Sequence, residues 1–140
     1  MTRYWLGIAT LDHVRRGVEG GFCQLGHGKA APIRRLSLGD WLVYYSPRAG
    51  LDEGEPVQAF TALGQVAAGE PYAVEQLKGF EPTRRNVRYR KRARSASIRP
   101  LLDKLELTRG KSNWGMVMRR SLVEISEADF EIIRRAMRAG

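Results

Sequence analysis

Ten consecutive residues mix a flexible backbone with diverse side chains able to do chemistry: Gly20-Gly21-Phe22-Cys23-Gln24-Leu25-Gly26-His27-Gly28-Lys29. They include the single cysteine of the chain and one of its two histidines. Four glycines in ten residues disfavour both helix and strand, and a flexible backbone carrying a thiol, an amide, an imidazole and an ammonium suits a ligand-lining loop on a rigid scaffold. The residue types bring four chemistries to mind. A phosphate-cradling loop would need G-x-x-x-x-G-K followed by Ser or Thr, and Lys29 is followed by Ala30. A dinucleotide fingerprint needs a strand immediately before its glycines, and Gly26-His27-Gly28 has none. A structural zinc site takes four Cys/His ligands, and beyond Cys23 and His27 only His13 remains. Cys23 and His27 can also be read as a nucleophile and its base, but such a dyad calls for an orienting third group. A lone cysteine is more often a small buried hydrophobe. Neither a catalytic residue nor a metal or cofactor is therefore expected.

The elements that must carry this loop are short. Tyr4–Thr10 reads as a strand of aromatic and apolar residues, and Asp12–Val18 as a short helical turn with Leu11, Val14 and Val18 at helical spacing. Ser37-Leu38-Gly39-Asp40 is a turn before a second strand, Trp41–Ser46, whose almost wholly apolar run predicts burial on both faces; Pro47 is expected to end it. A polar loop, 48–56, leads to a third strand over about Gln58–Ala67, with a further one at Tyr72–Leu77. Thr83–Ile98 reads as an extended, bulged strand with Val87 and Tyr89 facing one way and Arg88 and Arg90 the other. A short helix from Leu101 to Leu107, a loop from Thr108 to Gly115 and a last strand from Met116 to Ile125 follow. Ser126 opens a closing helix to about Met137, with Asp129 completing a capping-box pattern and Phe130, Ile133 and Met137 on its buried stripe. Short strands without regular strand–helix alternation exclude a doubly wound sheet and predict an α+β domain, a small mixed barrel decorated with helices, spanning residues 1–140.

The bulk numbers narrow the function classes. At 140 residues and 43% hydrophobic content the chain can build one real core. No apolar run approaches the ~20 residues of a membrane span. Met1-Thr2-Arg3 leads straight into Tyr4-Trp5-Leu6, unlike a secretory leader. With one cysteine there is no internal disulfide framework, and a reducing, cytoplasmic setting is expected. The net charge is +9, from 24 Lys+Arg against 15 Asp+Glu, which points to a polyanionic partner.

The charge is clustered. Arg84, Arg85, Arg88, Arg90, Lys91, Arg92 and Arg94 fall within eleven residues. An edge strand protected from aggregation needs one or two charges; a partner that supplies phosphates relieves the repulsion of seven and releases counterions. Aromatic residues supply the other half of a nucleic-acid reading, since unpaired bases stack on them. Trp5, Phe22, Tyr44 or Tyr45, and Trp114 are the candidates, while Trp41 and Phe60 sit in strongly apolar strands and are assigned to the core.

Tyr4-Trp5-Leu6-Gly7, Val18-Glu19-Gly20-Gly21-Phe22-Cys23-Gln24, His27-Gly28-Lys29, Gly39-Asp40, Tyr44-Tyr45-Ser46-Pro47, Gln58–Gly64, Asn113-Trp114-Gly115 and Ile125-Ser126-x-x-Asp129-Phe130 together resemble the EVE-domain family over nearly the whole chain. The resemblance implies a PUA-like fold, related to the YTH readers of methylated RNA, and a protein that reads modified bases in DNA or RNA. The base would be flipped into an aromatic-lined pocket. YTH readers carry a Trp-Cys pair where this chain has Phe22-Cys23, so Phe22 would be one wall, without the indole N–H, and a backbone group at Cys23 would meet the base edge. Tyr45, Trp114 and Trp5 are further expected pocket residues, and Gln24 and Ser46 expected edge readers. Arg84, Arg85, Arg88 and Arg90 would hold phosphates, with Lys29 assisting. The expected partner is DNA or RNA carrying a modified base, bound by a monomer away from any membrane and without catalysis. The alternatives are a small-molecule or nucleotide-binding regulatory module, and a Cys–His enzyme acting on nucleotides.

Overall fold

The structure, a computed structural model, describes residues 1–50 and 54–138; part of the polar loop expected at 48–56 lies outside the described residues. In chain order the elements are β1 (Tyr4–Ile8), α1 (Leu11–Gly20), β2 (Phe22–Cys23), α2 (Ala30–Arg34), β3 (Trp41–Arg48), β4 (Pro56–Val66), β5 (Tyr72–Ala73), β6 (Thr83–Tyr89), β7 (Ala96–Ser97), β8 (Leu122–Ile125) and α3 (Glu127–Arg138). The strands make one mixed sheet in the order β2-β6-β4-β3-β1-β8, with β5 added on β6 and β7 on β4. β1 runs parallel to β3 and every other pair is antiparallel. The sheet curls into a half-barrel with a few short helices, an α+β domain as expected, although the barrel is open. Among the described residues no helix is long and apolar enough to cross a membrane.

The central strands are buried on both faces because each face meets its own core. Side chains alternate along a strand, so Leu6, Val43, Tyr45 and Leu63 meet α3 through Phe130, Ile133 and Met137. Trp5, Leu42, Tyr44 and Val66 meet Val14 of α1 and Ile33 of α2 on the other face. A bulge makes both cores possible. Tyr44 pairs with Ala62 but Tyr45 with Phe60, leaving Thr61 as an extra residue. The extra residue resets the alternation, so Phe60 and Leu63 share the α3 face while Ala62 faces α1.

Several boundaries differ from expectation. Pro47 lies inside β3, at the second register shift between Ser46 and Arg48, where its missing N–H breaks no ladder bond. The basic run is divided: β6 stops at Tyr89, and after a turn β7 resumes for two residues. β5 also spans only two residues of the strand expected at Tyr72–Leu77. The helix expected from Leu101 to Leu107 is a 3₁₀ turn at Arg99–Leu101 followed by further turns. The strand expected from Met116 is a second 3₁₀ segment, Trp114–Arg119, which lets Trp114 and Met118, four residues apart, both reach the α3-side core. At α3 the Ser126 hydroxyl accepts the Asp129 N–H (3.1 Å). The buried Asp129 carboxylate does not complete a capping box; it turns to accept the backbone N–H groups of Glu106 (2.8 Å) and Leu107 (3.0 Å).

Candidate nucleic-acid interface

The glycine loop is anchored from behind by three elements. α1 ends in a left-handed glycine, Gly21 (φ 73°), whose N–H donates to Gly17 O. The chain then enters β2, with Phe22 opposite Asn86 and Cys23 opposite Arg85 of β6. Tyr89 of β6 donates its hydroxyl to Phe22 O (2.8 Å), and Tyr44 of β3 donates to Gln24 O (3.3 Å). His13 of α1 lies 2.7 Å from the same oxygen through Nε2. A carbonyl can only accept, so His13 carries its proton on Nε2 and its neutral ring keeps Nδ1 as an acceptor. Burial lowers the His13 pKa, against the pull of that hydrogen bond, and the nearby Arg16 and Arg84 charges lower it further. Burial likewise raises the Tyr44 and Tyr89 phenols well above their ordinary value, so both stay protonated donors.

In front of this anchored backbone lies a cleft of about 880 Å³. That size falls within the roughly 300–1,000 Å³ of ligand sites. Ile8 to Thr10 form one wall, at the end of β1, and Pro32, Pro47 and Phe80 supply further apolar surface. Gln24 and His13 are its fixed polar groups. Among the described residues its charge is one-sided: Arg16, Lys29, Arg119 and Arg120 border it, with His27, against Asp12 as the one acid. Gly28 lets the loop close on the segment opposite; its φ is 87°, and a Cβ there would lie 2.7 Å from the Pro82 side chain. Exposed His27 also adopts a left-handed backbone, φ 59°, uncommon outside glycine.

Of the residues expected at the site, the structure brings only Gln24 and Lys29 to the cleft. Trp5 is 1% exposed, with its indole N–H on Asp40 (2.9 Å) and Arg35 over its ring at 4.9 Å. Tyr45, also 1% exposed, packs edge-on against Phe60 at 5.7 Å. Ser46 is fully buried and shares a 2.8 Å hydrogen bond with Thr61, the bulged residue. Trp114 is half-buried on the α3-side core under Arg99, at 5.7 Å. Tyr45 and Trp114 thus pack on one face of the sheet, while Trp5 and the Phe22-Cys23 strand belong to the other. The expected aromatic cage does not form from these residues, because β-alternation separates them.

Phe22 is half-buried beside the cleft, and its ring is covered by the Arg84 guanidinium at 3.9 Å. Cys23 is fully buried, and burial pushes its thiol up to about 12. The thiolate a nucleophile needs is therefore not formed near neutral pH.

The basic strand is divided by the same alternation. Arg84 links two cleft residues from behind, donating Nε to Gln24 Oε1 (2.9 Å) and a terminal N–H to Gln76 Oε1 (3.1 Å). Arg85 turns to the Val87 side and donates to Leu36 O (3.0 Å). Arg88 and Arg90 are exposed on the opposite face, away from the cleft lining. β6 is no edge strand, since β4 pairs with one part of it and β2 and β5 with the rest. The cleft cations Arg16, Arg119 and Arg120 were not expected. Arg119-Arg120 is legible as a dibasic pair, but a strand over Met116–Ile125 hides its position; the 3₁₀ segment delivers it to the cleft just before β8.

The EVE-domain family model matches residues 3–136, and the chain belongs to that family. A UPF0310 protein of Mesorhizobium japonicum is 50% identical over 141 residues, covering 99% of this chain and 94% of the relative. Among solved structures, a protein of Agrobacterium tumefaciens superposes with a TM-score of 0.59 at 16% identity, over 96% of this chain and 92% of that one. The YTH domain of Zygosaccharomyces rouxii MRB1, solved in complex with N6-methyladenosine RNA, gives a TM-score of 0.57 at 15% identity, over 96% and 85%. These two structural likenesses concern the fold.

Proposed function

We propose that this domain is a non-catalytic nucleic-acid reader that seats one modified base, flipped out of its strand, in the cleft between β1, α1 and the glycine loop. The observation that carries the reading is the cleft itself: a pocket with fixed hydrogen-bonding groups, ringed by Arg16, Lys29, Arg119 and Arg120 with, among the described residues, a single acid. Phosphates flanking the base meet these cations, while Gln24 and the Nδ1 of His13 offer the donor and acceptor groups that read a base edge. Stacking falls to Phe80 and the His27 imidazole, in place of Phe22, Tyr45 and Trp114. The methylated RNA bound by the Zygosaccharomyces YTH domain, which has the same fold, supports this choice of ligand class. The buried, protonated Cys23 supports binding over thiol catalysis.

The test is fluorescence anisotropy with short DNA and RNA strands, each with and without a methylated central base, on wild type and Arg16→Glu/Arg120→Glu. The reading expects one modified strand to bind best and the double variant to weaken it at least tenfold, a loss of about 1.4 kcal/mol or more. Wild-type affinity in that variant for every strand would overturn the cleft assignment. Equal affinity for modified and unmodified strands would overturn the modified-base reading.

A further inference from the structure

A second cationic surface lies outside the cleft. After β6 the chain turns through Arg90-Lys91-Arg92-Ala93-Arg94 and docks on the end of α3. The Arg94 N–H donates to Met137 O (2.8 Å), and Ala93 packs on the α3-side core. The dock brings the exposed side chains of Arg90, Lys91, Arg92 and Arg94 beside a helix end that carries Arg134 and Arg138. Arg90 and Arg134 both lie over the Trp41 ring, at 5.0 and 5.7 Å. Among the described residues one ion pair forms, Arg134 with Glu131 at 3.6 Å. A helix C-terminus offers only about half a negative charge, too little to neutralise the other five cations.

None of these residues lines the cleft. Trp41 opens β3, while Pro47, six residues on, borders the cleft. At roughly 3.3 Å per residue the two surfaces are about 20 Å apart along the strand. A strand stacked as in a duplex advances ~3.4 Å per phosphate along its axis, so about six nucleotides cover that distance, and fewer where the strand is extended.

We propose that the 90–94 turn and the end of α3 form a second phosphate-binding surface, which holds the backbone of the same nucleic acid within about six nucleotides of the base in the cleft. The inference rests on the cleft reading for the position of the base, and its own evidence is the docked turn. It assigns Lys91, Arg92 and Arg94 to the polymer's backbone, where binding carries no sequence information and adds affinity only once the strand is long enough.

Anisotropy titrations test it with a trinucleotide and a 14-nucleotide strand sharing one modified centre, across 50–200 mM salt. In wild type the longer strand should bind at least tenfold tighter. Lys91→Ala/Arg92→Ala/Arg94→Ala should erase that gain, leave the trinucleotide unchanged, and reduce the salt slope of the longer strand by about 2, at roughly 0.7 for each phosphate no longer neutralised. Arg92→Lys/Arg94→Lys keeps the charge and should restore the slope, separating electrostatics from folding. Wild-type affinity and slope in the alanine variant would overturn the proposal, as would a wild type that gains nothing with length. Should Arg16→Glu/Arg120→Glu bind normally while the alanine variant loses the longer strand, the second surface stands and the cleft reading falls.

Discussion

The cleft and the 90–94 surface are both rich in cations, yet they are built in opposite ways. The cleft is concave, and its backbone rests on core residues: His13, Tyr44 and Tyr89 hold the carbonyls of Phe22 and Gln24 in place. The 90–94 surface is an exposed turn tied to the helix end by one backbone hydrogen bond and the small Ala93. The difference teaches where selectivity can reside. A group that discriminates between bases must stay where it is when the ligand arrives, and the packing behind the cleft enforces this. A group that attracts phosphate needs charge and reach, which an exposed arginine on a turn supplies at little cost to the fold.

That contrast can be broken or sharpened by experiment, beginning with the largest expected effect. Cys23, directly behind the cleft, should resist iodoacetamide in the folded protein at pH 7. A thiol at about 12 forms over a thousandfold less thiolate than a free cysteine near 8.5. Rapid native labelling would show that the glycine loop is not held as described.

Tyr44→Ala should cost about 3–5 kcal/mol in urea unfolding, by opening a cavity between β3 and the loop. Tyr44→Phe should cost only about 1–2 kcal/mol, since it removes the hydroxyl that holds Gln24 and keeps the ring. Arg92→Ala, by contrast, should stay within about 0.5 kcal/mol of wild type. A comparable loss at Arg92 and at Tyr44 would erase the distinction between the two surfaces.

The smallest expected effect is one of pH. The His13 pKa is lowered in the fold, so on acidification the unfolded chain takes up its proton first. Stability should therefore decline as pH falls below the unfolded histidine value, about 6.5, and the decline should end once pH has passed the lowered folded value. His13→Gln should flatten that part of a urea-midpoint-against-pH curve, and an unchanged slope would remove His13 from the buried network.

Much of the fold was legible because it follows from local pattern. The apolar run from Trp41 predicted a strand buried on both faces, and β3 is buried on both. The alternation of Val87 and Tyr89 with Arg88 and Arg90 predicted which side of β6 meets the core. The stripe of Phe130, Ile133 and Met137 predicted the face of α3. The site was less legible. Trp5, Tyr45, Ser46 and Trp114 have suitable chemistry, but whether each reaches a surface depends on which core covers its face. The Met116–Ile125 run looks like one strand, and only the pull of Trp114 and Met118 into the core turns its first half into a 3₁₀ segment.

By itself the sequence determined the central strands, the first and last helices, the family, the excess of positive charge and the importance of the glycine loop, because composition and short-range spacing encode these. The tertiary structure decided which residues share a cavity. The bulge at Thr61 sets the alternation of β4 and the curl of the sheet brings Arg16, Lys29, Arg119 and Arg120 around one cleft. Such proximity arises between residues about a hundred positions apart, where no local spacing rule operates. The glycine loop serves mainly as the cleft's anchored floor, with Gln24, His27 and Lys29 its side-chain contributions to the surface a ligand would meet.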